Sequence, residues 1–184
     1  MNHTQFWALI KQSKEHGEEQ VEWITNELCN KTVDEILDFE MAFGQFMKQS
    51  YTSSLWGAAF VIMGGCSDDG FDYFRGWLII QGEQVFDKVL ADPQYLAEYI
   101  LEVNREDELM PQCEEALSAA LDAYTYLKTG ELAYDEDVQT EFMNTLEARG
   151  YDYAHPDIEF DWEEDDLPGK YPILWEKFGD EPLT

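Results

Sequence analysis

Three closely spaced aspartates are the residues of this chain with the clearest capacity for chemistry. Asp68, Asp69 and Asp72 stand in the order Asp-Asp-x-x-Asp, and on a helix Asp72 would share a face with each of the others. Clustered carboxylates are ligands that Mg²⁺ takes, with waters and a phosphate group completing its coordination shell. The three aspartates are therefore candidate Mg²⁺ ligands in an enzyme that acts on a phosphate or diphosphate compound.

A helix start accounts for the same aspartates without a metal. Ser67 can cap the helix that follows, and Asp68 and Asp69 then lie in its first turn, where carboxylates are favourable. Asp72 and Arg75 are three residues apart and can form an ion pair within that helix. We favour this structural interpretation, and contact with a partner and Mg²⁺ binding are the alternatives.

The other reactive groups of the chain lack suitable neighbours in the sequence. Cys66 lies just before the same helix start, a position that lowers the pKa of a thiol, but the adjacent aspartates oppose that effect. The cysteines do not have the spacing of a zinc site, and no histidine belongs to a recognisable motif. The glycines near Cys66 lack the lysine of a phosphate-binding loop. The sequence therefore predicts a packed thiol, no catalytic set and no cofactor, with Mg²⁺ as the alternative.

Helices must position these residues, because the apolar spacing is helical almost throughout the chain. Leu55, Ala58, Ala59 and Ile62 follow the i, i+3, i+4, i+7 pattern just before the aspartates. The signals for helix ends agree with this spacing. Thr32 with Glu35 and the step Asp92-Pro93 indicate helix starts, and Gly130 and Gly150 indicate helix ends. The pattern predicts an all-α fold, with an irregular multi-helix single domain over residues 1–150.

Residues 151–184 differ from the rest and are predicted to form an acidic, partly extended C-terminal tail. Eight carboxylates lie between Asp152 and Asp166, with no lysine or arginine among them. Residues 159–162 alternate in polarity, so a short strand is one alternative there. The aromatic residues of 171–178 predict a segment that docks on the helical domain.

Two tryptophans join the candidate binding residues. Most tryptophans of the chain fall in apolar stripes, whereas Trp162 is surrounded by carboxylates. An aromatic side chain within an acidic segment can anchor a basic partner, and docking on its own domain is the alternative. The complete set of candidate binding residues is Asp68, Asp69, Asp72, Arg75, Trp77 and Trp162.

The charge of the chain limits its partners. The sequence has 40 acidic and 11 basic residues, which gives a formal net charge of −29. This balance argues against direct binding to nucleic acids or to anionic membranes, because both need clustered lysine and arginine. It favours a basic protein partner. The three dispersed cysteines, and the lack of an apolar run long enough to span a bilayer, predict a cytoplasmic protein.

A glycine-rich and aromatic-rich string runs from Gly64 to Trp77 and reads Gly-Gly-Cys-Ser-Asp-Asp-Gly-Phe-Asp-Tyr-Phe-Arg-Gly-Trp. Because of this string and several other stretches, the chain resembles the bacterial domain of unknown function 4240 over residues 3–130. The other stretches that support the resemblance are residues 6–10, 55–59, 78–82 and 91–93. The resemblance implies a bacterial protein without an established activity. Some longer relatives also contain a WGR domain, a module linked to DNA ends, which this chain does not show.

These observations favour a non-enzymatic module that binds a basic protein partner, in a regulatory or immunity-like role. The alternative is a Mg²⁺-dependent enzyme that acts on a phosphate or diphosphate compound through Asp68, Asp69 and Asp72. A third interpretation makes the glycine-rich string a folding element only.

Overall fold

Helices make up the regular structure of this protein, as the apolar spacing predicts. The structure, a computed structural model, describes residues 1–103 and 110–183, and it contains no strand in that part of the chain. The helices are α1 (His3–Ser13), α2 (Gln20–Cys29), α3 (Val33–Gln49), α4 (Ser53–Met63), α5 (Asp68–Ile80), α6 (Glu83–Ala91), α7 (Leu96–Val103), α8 (Glu115–Thr129), α9 (Glu136–Ala148), α10 (Leu167–Lys170) and α11 (Pro172–Phe178). The fold class is all-α. Within the described ranges, every helix is too short or too polar to cross a bilayer.

Side chains and glycines define several helix ends where the sequence predicts them. Thr32 and Glu35 form a reciprocal capping box at the start of α3, with the Thr32 amide donating to the Glu35 carboxylate at 3.0 Å. Ser67 caps α5, because its hydroxyl oxygen accepts from the Gly70 amide at 3.1 Å. Gly130 ends α8 in the left-handed region, at φ +81°.

A cluster of aromatic side chains fixes α1, α3 and α6 together. The rings of Trp7 and Phe46 are centred 4.4 Å apart, and those of Phe46 and Phe86 are 5.5 Å apart. Phe6 and Phe86 are fully buried, and burial of such a side chain stabilises a fold by about 1.5–3 kcal/mol. The same helix α3 also packs against α5 and α8.

The C-terminal residues return to the helical part of the chain and pack against α4. The Tyr171 hydroxyl donates to the backbone oxygen of Ser54 at 2.8 Å, and Leu174 and Phe178 are buried. A β-carbon at Gly57 would lie 2.6 Å from that hydroxyl, so this close approach requires glycine. The division into domains at residue 150 stays a prediction.

The short strand considered for residues 159–162 does not form. Residues 151–163 have neither helix nor strand structure. Residues 159–162 lie against α4, whose backbone groups are hydrogen-bonded within the helix and therefore offer no edge for strand pairing. The alternation instead places Phe160 and Trp162 next to aromatic side chains of α4.

Candidate functional site

The glycine-rich motif, residues 64–77, comprises the tight turn that follows α4 and most of helix α5. Gly64 ends α4 in the left-handed region, at φ +64°, which favours glycine. The indole N–H of Trp56 donates to the backbone oxygen of Cys66 at 3.0 Å and holds the turn against α4. Ser67 then caps α5, so the three aspartates lie within the first turns of that helix.

Asp72 and Arg75 form the ion pair that their spacing predicts. The Arg75 side chain is 1% exposed, and its second guanidinium nitrogen donates to the backbone oxygen of Met47 at 2.5 Å. The guanidinium also lies over the rings of Tyr51 and Phe71, at 4.7 and 4.9 Å. Burial lowers the pKa of Arg75, an effect that the Asp72 carboxylate opposes. The hydrogen bond from Arg75 to Met47 therefore ties α5 to α3.

Asp68 and Asp69 are exposed, and neither side chain forms an ion pair or hydrogen bond with a described residue. Asp72 is engaged by Arg75 instead of facing them. In the part of the chain that the structure describes, no group of three or more His, Cys, Asp or Glu side chains could hold a metal ion. The geometry therefore brings Asp72 and Arg75 together and leaves the other two aspartates in solvent, and magnesium binding stays an untested alternative.

Cys66 is half-buried beside the motif's turn, and its surroundings keep the thiol protonated. Burial is the main cause that raises the pKa of Cys66 to about 12, and the nearby Asp68 and Asp72 raise it further, while Arg75 lowers it. A neutral thiol is a poor nucleophile, so the structure agrees with a packing role.

The two candidate tryptophans are both half-buried in the structure. Trp77 packs against Phe74 at a ring distance of 5.7 Å. The Trp162 indole donates to the backbone oxygen of Ser53 at 2.8 Å, so Trp162 docks on the chain's own helices. Phe160, which the sequence did not distinguish, is 50% exposed and stands edge-on to Trp162 at 5.4 Å. Phe160 is therefore the more accessible aromatic side chain of the acidic tail.

The acidic strip, residues 157–166, presents its carboxylates to solvent. Asp161 pairs with Lys170 at 2.5 Å and accepts from the Ser53 hydroxyl at 2.6 Å, and these contacts lower the pKa of Asp161. Six other carboxylates of the strip are exposed and have no described cation within 4.0 Å: Asp157, Glu159, Glu163, Glu164, Asp165 and Asp166. The strip is therefore a surface of largely uncompensated negative charge.

A second site, the Glu40 cleft, lies where α3 and α5 meet the start of the tail. Its volume is about 280 Å³, and its polar lining residues are Glu40, Lys48, Asp72, Arg75, Tyr151, Asp152, Tyr153 and His155. The Tyr151 hydroxyl donates to Oε1 of Glu40 at 3.3 Å. Burial raises the pKa of the Glu40 carboxyl to about 7, and the Tyr151 hydroxyl lowers it by a smaller amount.

Sequence reasoning missed Glu40 because its partner Tyr151 is 111 residues away along the chain. One available signal was the position of Glu40 between Phe39 and Met41 on an otherwise apolar stretch of α3. The cleft also includes two groups that the sequence did select, Asp72 and Arg75.

The fold and these sites define an all-α protein with a strongly acidic surface. A family profile described as "Protein of unknown function (DUF4240)" matches residues 1–126, and the chain belongs to this family. No curated protein and no solved structure matches the chain. The glycine-rich motif and Glu40 lie within the matched residues, whereas Tyr151 and the acidic strip follow them.

Proposed function

We propose that this protein is a non-enzymatic module that binds a basic protein partner through the acidic strip. The observation that supports the proposal is the set of six exposed carboxylates in residues 157–166 without a described cation within 4.0 Å. Like charges held together on a folded surface repel one another. A basic partner relieves this repulsion, and its long-range attraction increases the association rate.

Contacts with the helices hold the strip in place before a partner arrives. Trp162 is hydrogen-bonded to Ser53, and Asp161 contacts both Ser53 and Lys170. A preorganised surface loses less conformational entropy on binding than a disordered segment does. Phe160, 50% exposed beside these contacts, supplies an aromatic anchor of the kind that contributes strongly at interfaces.

The chemistry of the strip favours a partner with a dense basic surface. Proteins use such surfaces to bind nucleic acids. A partner of that kind could not present the same surface to nucleic acid while the strip covers it. The proposed role is therefore regulatory or immunity-like, exerted by occupation of the partner's basic site.

Affinity capture from native cells tests the proposal with two variants of matched charge. The strip variant has the changes Asp157→Asn, Glu159→Gln, Glu164→Gln and Asp165→Asn. The control variant has the changes Glu15→Gln, Glu18→Gln, Glu19→Gln and Glu22→Gln. All eight carboxylates are exposed, and each variant has four charges fewer, so that the net charge changes from −29 to −25. We expect a partner that wild type and control retain and the strip variant loses. Equal capture by both variants would contradict the proposal.

A further inference from the structure

Glu40 is the carboxylate of the cleft whose charge is not balanced by a described neighbour. No described cation lies within 4.0 Å of Glu40, and its described hydrogen-bond partner is the neutral hydroxyl of Tyr151. The other two carboxylates that line the cleft each face a cation, in the pairs Asp72–Arg75 and Asp152–Lys48. The remaining negative charge in the cleft is therefore that of Glu40.

The size and walls of the cleft fit one long side chain. Its volume of about 280 Å³ lies below the range of roughly 300–1,000 Å³ that is usual for small-molecule and cofactor sites. Phe43, Met47 and Leu117 supply apolar walls, against which an aliphatic stem can pack. The rings of Tyr151 and Tyr153 are centred 4.6 Å apart beside them, and such rings attract cations.

We propose that the Glu40 cleft binds the guanidinium or ammonium group of an arginine or lysine side chain that the basic partner inserts. The inference rests on the proposed function and specifies how the partner is held. The segment 152–155 lines the cleft, and Asp157, the first carboxylate of the acidic strip, follows two residues later. The strip therefore begins beside the cleft in the sequence, and we expect a partner that contacts Asp157 to be able to insert a basic side chain there.

The protonation of Glu40 gives the inference a pH dependence. Burial raises the pKa of this carboxyl to about 7, and a bound cation favours its ionised form. The ionised fraction is about 0.9 at pH 8 and about 0.1 at pH 6, so affinity for a cation is expected to fall about tenfold between them. The titratable and charged groups that face the same cleft are Lys48, Asp72, Arg75, Tyr151, Asp152, Tyr153 and His155.

Nuclear magnetic resonance titration of the full chain with two probes tests the inference. N-acetyl-arginine amide has the guanidinium group, and N-acetyl-citrulline amide is nearly the same shape but neutral. We expect saturable shifts of the cleft residues with the arginine probe at pH 8, about tenfold weaker binding at pH 6, and none with the citrulline probe. Glu40→Gln, which keeps the oxygen that accepts from Tyr151, is expected to abolish the binding, and Glu22→Gln to preserve it. Binding that survives Glu40→Gln would overturn the inference.

A tri-arginine peptide tests whether a ligand that contacts the acidic strip can also place an arginine side chain in the cleft. We expect this peptide to bind more tightly than the single arginine amide, and the strip variant to remove the difference. Equal affinity of the two probes would indicate a site for free small cations and would contradict the inference.

The outcomes separate this inference from the proposed function. Loss of the cellular partner in the strip variant, together with no saturable arginine shift in the cleft, would support the proposed function and overturn the inference. Arginine binding in the cleft, together with partner capture that the strip variant does not change, would overturn the proposed function and leave the cleft as a cation site.

Discussion

Replacement of Glu40 by glutamine is expected to stabilise the protein at pH 8 and to change its stability little at pH 5. The Glu40 carboxylate is half-buried, faces no described cation and is hydrogen-bonded by Tyr151. Glutamine has nearly the same shape and keeps the oxygen that accepts from the Tyr151 hydroxyl. The substitution therefore removes the buried charge and retains the described hydrogen bond.

The sign and size of the effect follow from the pKa of Glu40. Burial raises it from 4.5 to about 7, so the folded protein binds this proton more tightly than the unfolded chain does. The stability of wild type therefore falls as the pH rises from about 4.5 to about 7 and stays lowered above that range. Each pKa unit is worth about 1.4 kcal/mol, which sets an upper limit of about 3 kcal/mol. Because Glu40 is partly exposed, we expect a gain of about 1–2 kcal/mol at pH 8.

Urea unfolding at pH 5 and pH 8, followed by tryptophan fluorescence, measures this difference. Glu22→Gln removes an equal charge from an exposed position on α2 and corrects for the general repulsion within an acidic protein. The reasoning predicts that Glu40→Gln exceeds this control in stability by much more at pH 8 than at pH 5. A Glu40→Gln variant that is less stable than wild type at pH 8, or equally shifted at both pH values, would refute it.

Three further predictions concern the glycine-rich motif. Asp72→Ala is expected to destabilise the fold by about 3 kcal/mol, because it leaves the buried Arg75 without its carboxylate, and an unchanged melting temperature would contradict this. Calorimetric titration with Mg²⁺ is expected to show no stoichiometric site, and a site that disappears in Asp68→Asn would establish the metal alternative. Cys66 is expected to react slowly with a thiol reagent at pH 8, since the pKa of its thiol is about 12, and a reaction as fast as that of free cysteine would contradict the packing role.

The sequence predicts the helices of this fold well because their signals are local. The Thr32–Glu35 capping box and the Ser67 cap each consist of hydrogen bonds between residues three apart in the sequence. The apolar residues spaced along one helical face from Leu55 to Ile62 are buried, as that spacing predicts. The alternation at residues 159–162 was misleading, since a strand also needs a partner edge and the neighbour is a helix.

The candidate site was predictable only where its contacts are local in the chain. The Asp72–Arg75 pair follows from a three-residue spacing. The Glu40 cleft depends on a contact between α3 and Tyr151, residues that only the packing of the tail brings together. Exposure decides between Trp162 and Phe160, and sequence alone does not reveal which of two neighbouring aromatics docks inward.

The salt dependence of association tests the central claim most directly. The partner recovered by capture would be mixed with wild type, the strip variant and the control variant in stopped flow at about 0.01 M and 0.15 M ionic strength, where the Debye length is about 30 and 8 Å. We predict that the association rate of wild type falls about tenfold or more from the lower to the higher ionic strength. We also predict that the strip variant decreases the association rate by a larger factor than it increases the dissociation rate. Association that is independent of salt, and equally fast in the strip and control variants, would mean that the strip does not bind the partner.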